Sequence, residues 1–261
     1  MSERQPIAER IARDMLDGAP FEPYSSELPR SLEAAYLLQD EVAARLADSG
    51  ARGPVAGWKM AANSQALLER FGLKEPVSGR IFADQIHEAT PVLKASDYSE
   101  FAFEPEIAAI MGRTLGPRDA PFTADQVAEA IVRFIPAIEL LDMRQTNMAA
   151  VHIPDAVAQN ISNVGAVRGG PGVMPHELDL ASVRTVLRVN GEIVHDVTGA
   201  APQPPVEAVT WLANHLSARG LSLAAGQIVM CGTHSPIWYH QGRGEIRVEM
   251  SGLGSVALVI E

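Results

Sequence analysis

Two glutamates, Glu104 and Glu106, stand two residues apart inside the apolar run FAFEPEIAAI at 101–110. On a β-strand, residues i and i+2 share a face, so the two carboxylates project together and Pro105 points away. Pro105 also removes a ladder donor, which predicts a strand edge or a bulge here. The same pair suits a half-exposed strand whose polar face lies in water. A third carboxylate, Glu139, sits in a second apolar run, FIPAIELLD at 134–142. An unpaired buried carboxylate is costly and tends to protonate, and three brought together repel unless a divalent cation holds them. Oxygen ligands without a cysteine cluster suit magnesium, manganese or calcium better than zinc. Spacing does not itself bring Glu139 to the other two. Lys59, between Trp58 and Met60 in GPVAGWKMAANS at 53–64, supplies the opposite charge. It is either a snorkelling surface lysine or, beside an anionic metal site, a group that positions a substrate carboxylate or moves protons.

The elements that must place these residues change in texture along the chain. Residues 5–17 form a short amphipathic helical segment, followed by the Pro- and Ser-containing connector APFEPYSSELPR. In SLEAAYLLQDEVAARLADSG, Leu32, Ala35, Tyr36, Val42, Ala43 and Leu46 share a helical face, with Ser31 as N-cap and Gly50 as the stop. From about residue 54, β-type runs dominate: PVAGWKM, FEPEIAAIM, TVLRVNGEIV, QIVMCG, EIRVEM and SVALVI. Asn190-Gly191 predicts a two-residue hairpin, and SGLG at 251–254 a turn between the last two strands. Helical patterns interrupt at 123–133, capped by Thr123, and at 205–219, between Pro205 and Gly220. Strands with inserted helices but no regular alternation predict a mixed α+β fold, divided into a helical segment (1–53) packed on a β-rich core (54–261). No G-x-G-x-x-G opens a helix and no P-loop is present.

Composition narrows the function classes. The 261 residues carry 21 Lys+Arg against 32 Asp+Glu, a net charge of -11, which disfavours a nucleic-acid partner. Aromatic content of 5% makes a base-stacking platform a poor fit. No apolar run reaches the length of a membrane span, and MSERQPIAER lacks the apolar core of a signal peptide, so a cytoplasmic protein is the expectation. The single cysteine, Cys231, excludes an internal disulfide and reads as a small buried hydrophobe.

The segments GWKMAANSQALLERFGLKEPVSGRIFAD, FEPEIAAIMGRTL, IPAIELLDMR, DAVAQNISNVGAVRGG, NGEIVHDVTGAA, VTWLANHLSARGLSLAAGQIVMCGT and GLGSVALVI follow one another in a recognisable order. Together they resemble the 2-keto-4-pentenoate hydratases and 4-oxalocrotonate decarboxylases of the fumarylacetoacetate hydrolase superfamily. The resemblance implies a β-rich roll like that superfamily's C-terminal fold, with a helical N-terminal segment alongside. It implies a magnesium or manganese ion held by Glu104, Glu106 and Glu139, with Lys59 as the catalytic lysine, and a homo-oligomer. The implied reaction, in bacterial catabolism of aromatic compounds, is addition of water to a short unsaturated 2-oxo acid, drawn from a 2-hydroxydienoate, to give a 4-hydroxy-2-oxo acid. Decarboxylation of a 2-oxo-3-enedioate, carbon–carbon hydrolysis of an acylpyruvate, and an inactive subunit partnering a related decarboxylase or hydratase are the alternatives.

The chain also departs from that pattern. Where family hydratases read IGLTS after the lysine, it has MAANS, with Asn63 and Ser64 expected at the substrate. Ser78, also expected at the substrate, stands where an aspartate commonly precedes glycine, so a carboxylate of the expected proton relay is missing. The loop CGTHSPIWYHQGRG at 231–244 matches a pocket-lining loop; Thr233 fits the family, while His234 and His240 are candidates to replace that carboxylate or to touch the substrate. His87-Glu88 is a weak match to a hydrolase lid dyad. His152, His176 and His215 are expected at the surface or in caps, and Asp142, Arg144, Asp155 and Asn160 as loop-fixing groups.

Overall fold

The computed structural model describes residues 4–23 and 31–261. It opens with helices α1 (Arg4–Leu16) and α2 (Leu32–Asp48); residues 24–30 of the connector lie outside the described residues. Ser31 caps α2 by accepting the Ala34 N–H at 3.2 Å, and Gly50 ends it with φ 72°. Strands then take over: β1 (Val55–Ala61), β2 (Val77–Phe82), β3 (Ile86–Glu88), β4 (Val92–Leu93) and β5 (Phe101–Met111), with α3 (Gln65–Phe71) between the first two. A single-turn α4 (Ala124–Ala128) precedes β6 (Ile131–Asp142), followed by α5 (Ile153–Ala158), β7 (Asn163–Arg168) and β8 (Gly170–Pro171). The hairpin of β9 (Arg184–Val189) and β10 (Glu192–Thr198) turns at Asn190-Gly191. Helix α6 (Pro205–Ala218) leads to β11 (Ile228–Thr233), β12 (Trp238–Tyr239), β13 (Gly244–Met250) and β14 (Gly254–Ile260). No helix among the described residues is long and apolar enough to cross a membrane.

Two mixed sheets result among the described residues, the α+β architecture expected. One runs β2-β1-β11-β5-β6-β7-β3, with β12 on β5; the other runs β10-β9-β13-β14-β4, with β8 on β14. Phe103, Ile107, Phe134, Ile138 and Leu140 of the first sheet pack in one fully buried core with Leu187, Val248 and Leu258 of the second. Helix α6 adds Val209, Leu212 and Leu216 to that core. A separate apolar cluster joins Ile11, Leu38, Val42 and Leu46 of the first two helices to Val77, Phe82 and Val157.

The period of two decides which face of β5 and β6 becomes chemical. On β5, Phe103, Ile107, Ala109 and Met111 enter the inter-sheet core, so Glu104 and Glu106 fall on the other face with Ala108 and Ile110. On β6, Phe134, Ile138 and Leu140 take the core, and Glu139 shares the opposite face with Ala137. The register pairs Glu104 directly with Glu139.

Three expectations are corrected. The half-wet reading of β5 fails, because every residue of the strand is buried. Pro105 does not mark an edge: β5 lies between β11 and β6, and the irregularity sits on β11, between Met230 and Thr233, where the His234 N–H donates to Pro105 O at 2.9 Å. The helix read over 123–133 stops at Ala128, since Ile131 already pairs with Met111 in the sheet. β-branched Ile131 and Val132 favour that outcome.

Candidate functional site

Glu104, Glu106 and Glu139 offer carboxylate oxygens that all lie within 4.8 Å of one another. They are 9%, 1% and 0% exposed, so water screens them little. Lys59, on β1, two strands from β5 and three from β6, is 3% exposed and puts Nζ 3.2 Å from Glu139 Oε1. Its stem passes Gly79 on β2, where a Cβ would lie 3.3 Å from Lys59 Cγ and 3.0 Å from Asn160 O. Asn163 Nδ2 donates to Glu139 Oε1 at 2.9 Å, while Glu139 Oε2 is buried without a hydrogen-bond partner among the described residues. The Gly232 N–H donates to Glu106 Oε2 at 2.7 Å. Gly232 adopts φ 119°, and a Cβ there would meet Pro202 and Asn63 within 2.6 Å, so the irregular end of β11 needs a glycine.

The electrostatics explain why this cluster calls for a cation. At the roughly 4.8 Å limit, two carboxylates repel by about 3.5 kcal/mol at an effective dielectric of ~20. Burial, then Glu139, pushes the Glu104 carboxyl up to about 8, against the pull of Lys59 and Thr233. Burial, then Glu139 and Glu104, holds Glu106 well above the usual range, against the Gly232 N–H and Lys59. Burial works to lower Lys59, but Glu139, Glu104 and Glu106 together outweigh it and hold the ammonium above its ordinary value. With all three carboxylates ionised, one ammonium would leave two negative charges uncompensated in this buried cluster, which is why burial and mutual repulsion push Glu104 and Glu106 toward their neutral forms. The oxygen donors, the orphaned Glu139 Oε2 and that charge deficit all fit a hard divalent cation.

A cavity of about 490 Å³ opens from this cluster. Lys59, Asn63, Glu104, Glu106 and Thr233 line it. Asn63 Nδ2 donates to Cys231 O at 2.8 Å, and Thr233 Oγ1 to Ser235 O at 2.8 Å. Ser64, Ser78 and His234, expected at the substrate, do not line it. Ser64 accepts the Leu67 N–H at 3.3 Å as the cap of α3. Ser78 is fully buried on β2, its N–H donating to Tyr36 Oη at 2.9 Å. His234 turns toward the second sheet, with Nδ1 2.8 Å from Thr185 Oγ1, and burial lowers it to about 4. His240 packs edge-on against Phe101 outside the cavity lining. Neither histidine therefore stands in for the missing carboxylate at the cavity wall.

The remaining polar residues do scaffold work. Asp142 accepts the Ser99 and Glu100 N–H groups, Arg144 donates to Gln159 Oε1 and Ala19 O, and Asn160 bridges the backbone of Arg80. His152 pairs with Asp155 at 2.9 Å. His87-Glu88 lies on β3, Glu88 bound to Arg168, away from the cavity. His215 is not a surface or capping group: it stacks on Trp211 and against Tyr36, each at 4.8 Å, joining α6 to α2. Asn163 was missed, although a lone amide at the head of the apolar strand NVGAVR carries the same signal as Glu139 in its run. The contribution of Gly232 is a backbone N–H, for which side-chain chemistry gives no sign.

Residues 74–261 match the family described as fumarylacetoacetate (FAA) hydrolase C-terminal. The chain is 28% identical over 261 residues to a 2-keto-4-pentenoate hydratase of Paraburkholderia xenovorans, covering 99% of this chain and 95% of the relative. It is 31% identical over 226 residues to the TodF product hydratase of Pseudomonas putida, covering 86% and 82%. Among solved structures, 4-oxalocrotonate decarboxylase from Pseudomonas putida G7, complexed with magnesium and adipate, superposes with a TM-score of 0.90 at 27% identity, covering 99% of this chain and 97% of that one.

Proposed function

The chain belongs to the fumarylacetoacetate hydrolase C-terminal family, and on that premise we propose that it is a divalent-metal-dependent hydratase of unsaturated 2-oxo acids. The carrying observation is the buried cluster of Glu104, Glu106 and Glu139 with Lys59 Nζ 3.2 Å from Glu139 Oε1. The hydratases to which it is similar across most of their length favour water addition over the other chemistries of the fold.

Glu104, Glu106 and Glu139 are the residues that hold magnesium or manganese, which when bound supplies Lewis-acid stabilisation to the negative charge developing on a 2-oxo oxygen. Lys59 carries the positive charge at the cavity floor, where it draws in the substrate carboxylate and holds a proton within reach of the reacting carbons. Asn163 fixes the Glu139 carboxylate from behind, and the Gly232 N–H fixes that of Glu106. The cavity receives the 2-hydroxydienoate, whose ketonisation leaves a C3=C4 alkene conjugated with the ketone. Water then adds its oxygen at C4 and a proton at C3, giving the 4-hydroxy-2-oxo acid. The N-terminal segment, 1–53, is braced through α1 and α2 against a catalytic core at 54–261, and the working form is a homo-oligomer in the cytoplasm.

Purified protein with magnesium or manganese should deplete 2-hydroxypenta-2,4-dienoate or a longer homologue, followed by loss of diene absorbance. No depletion at any pH with either metal would refute the hydratase reading. Carbon dioxide release from 2-oxo-3-hexenedioate would select the decarboxylase instead.

A further inference from the structure

Lys59, Glu104 and Glu106 charge one end of the 490 Å³ cavity, and the rest of its wall is almost uncharged. Resting on the 2-oxo acid reading above, we infer that the substrate carries a single carboxylate, at its 2-oxo end, and an apolar tail longer than that of a five-carbon acid. At about 30 Å³ per water-sized group, the cavity has room for roughly sixteen such groups. A five-carbon 2-oxo acid supplies only about half that number of non-hydrogen atoms, so the space calls for a tail.

The chemistry of the wall says what kind of tail. On one side, half-buried Met148 and Ile237 pack on buried Leu141 and Met143 in a small apolar cluster. On the other side, Val77 and Ile161 present the edge of the cluster formed with the N-terminal helices. The hydroxyls of Thr146 and Ser235 are spent on the carbonyls of Met143 and Pro236. Apart from Lys59 and the glutamates, the only charged side chain lining the cavity among the described residues is Arg70. It is exposed, donates Nη2 to Met148 O at 3.0 Å, and lies over the Phe71 ring at 5.1 Å. Arg144, the buried guanidinium nearby in sequence, faces Ala19 O and Gln159 Oε1 instead and does not line the cavity. Arg70, Phe71, Val151 and Ile153 also line an adjoining outer depression, so the tail end leads toward solvent. A second carboxylate placed along this wall would lose water without gaining a buried partner.

The test compares 2-hydroxydienoates of five and eight carbons, a phenyl-terminated one, and the dicarboxylate 2-hydroxyhexa-2,4-dienedioate. In parallel, the manganese-loaded protein is titrated calorimetrically with unreactive pyruvate, 2-oxooctanoate and 2-oxoadipate. Affinity and kcat/KM should rise roughly fourfold per buried methylene, equivalent to about 0.8 kcal/mol, and the dicarboxylates should rank below monocarboxylates of similar length. Met148→Lys should reverse that ranking, whereas Arg70→Met should leave it standing. A flat profile, or a dicarboxylate preference that Arg70→Met abolishes, overturns the inference. Graded binding of the unreactive acids with no turnover of any dienoate would instead remove the hydratase reading and leave the apolar-tail site in place.

Discussion

In metal-free protein, replacing Glu104 by glutamine should raise stability even though it removes a proposed metal ligand. Burial and the facing Glu139 push the Glu104 carboxyl from an ordinary 4.5 up to about 8. The folded-state value lies above the unfolded one, so this group's contribution is fully present below about pH 4.5 and is lost as pH rises toward 8. At ~1.36 kcal/mol per pH unit, the loss reaches about 3 kcal/mol at pH 7 and between 4 and 5 above pH 8. Glutamine keeps the shape without the charge, so Glu104→Gln should melt some 6–12 °C above wild type at pH 7 in excess chelator. The gap should shrink steadily toward pH 5. Manganese at a thousandfold excess over Kd should reverse the order at pH 7: wild type gains about 4.1 kcal/mol, and the variant gains little. Thermal melts followed by circular dichroism, with and without manganese at several pH values, read all of this. A variant less stable than wild type in chelator at pH 8, or a gap that does not vary with pH, would refute the reasoning.

Three other perturbations test separate links. Lys59→Met removes the counter-charge 3.2 Å from Glu139, and steady-state assays should show at least a hundredfold loss of kcat; its metal-free form should lose about 3–5 kcal/mol of stability by chemical denaturation. Gly232→Ala places a Cβ against Asn63 and Pro202 at φ 119°, and should cost about 1–3 kcal/mol while weakening metal affinity through the Gly232–Glu106 hydrogen bond. His215 is lowered to about 4, first by burial and then by Arg219. Its folded value lies below the unfolded 6.5, so its contribution is present above pH 6.5 and lost as pH falls toward 4. His215→Phe should therefore flatten the acid limb of the melting curve, by no more than about 2 kcal/mol given the ring's partial exposure.

The fold was legible wherever local chemistry decides the backbone. Ser31, Gly50, Asn190-Gly191 and the turn at 251–254 ended or joined elements as their side chains require. The period of two placed Glu104 and Glu106 on one face, and Glu139 stood out as a charge in an apolar run. What sequence could not carry was the pairing: Glu104 faces Glu139 because of a register set by two whole strands. Of the two readings of Pro105, the edge fails and the bulge is found on the neighbouring strand, between Met230 and Thr233. Ser78 and His234 looked chemical by position in the chain, yet strand alternation and the turn after β11 aim them into the scaffold. The apolar tail wall was also invisible, because Leu141, Met148 and Ile237 come from distant segments and look like ordinary core residues.

Manganese titration of metal-free wild type and Glu106→Gln by calorimetry tests the metal centre most directly. A site built on Glu104, Glu106 and Glu139 requires one manganese per chain in wild type and affinity at least ~100-fold weaker in Glu106→Gln. Equal affinity in the two proteins, or no binding to wild type, would contradict the assignment of these three buried carboxylates.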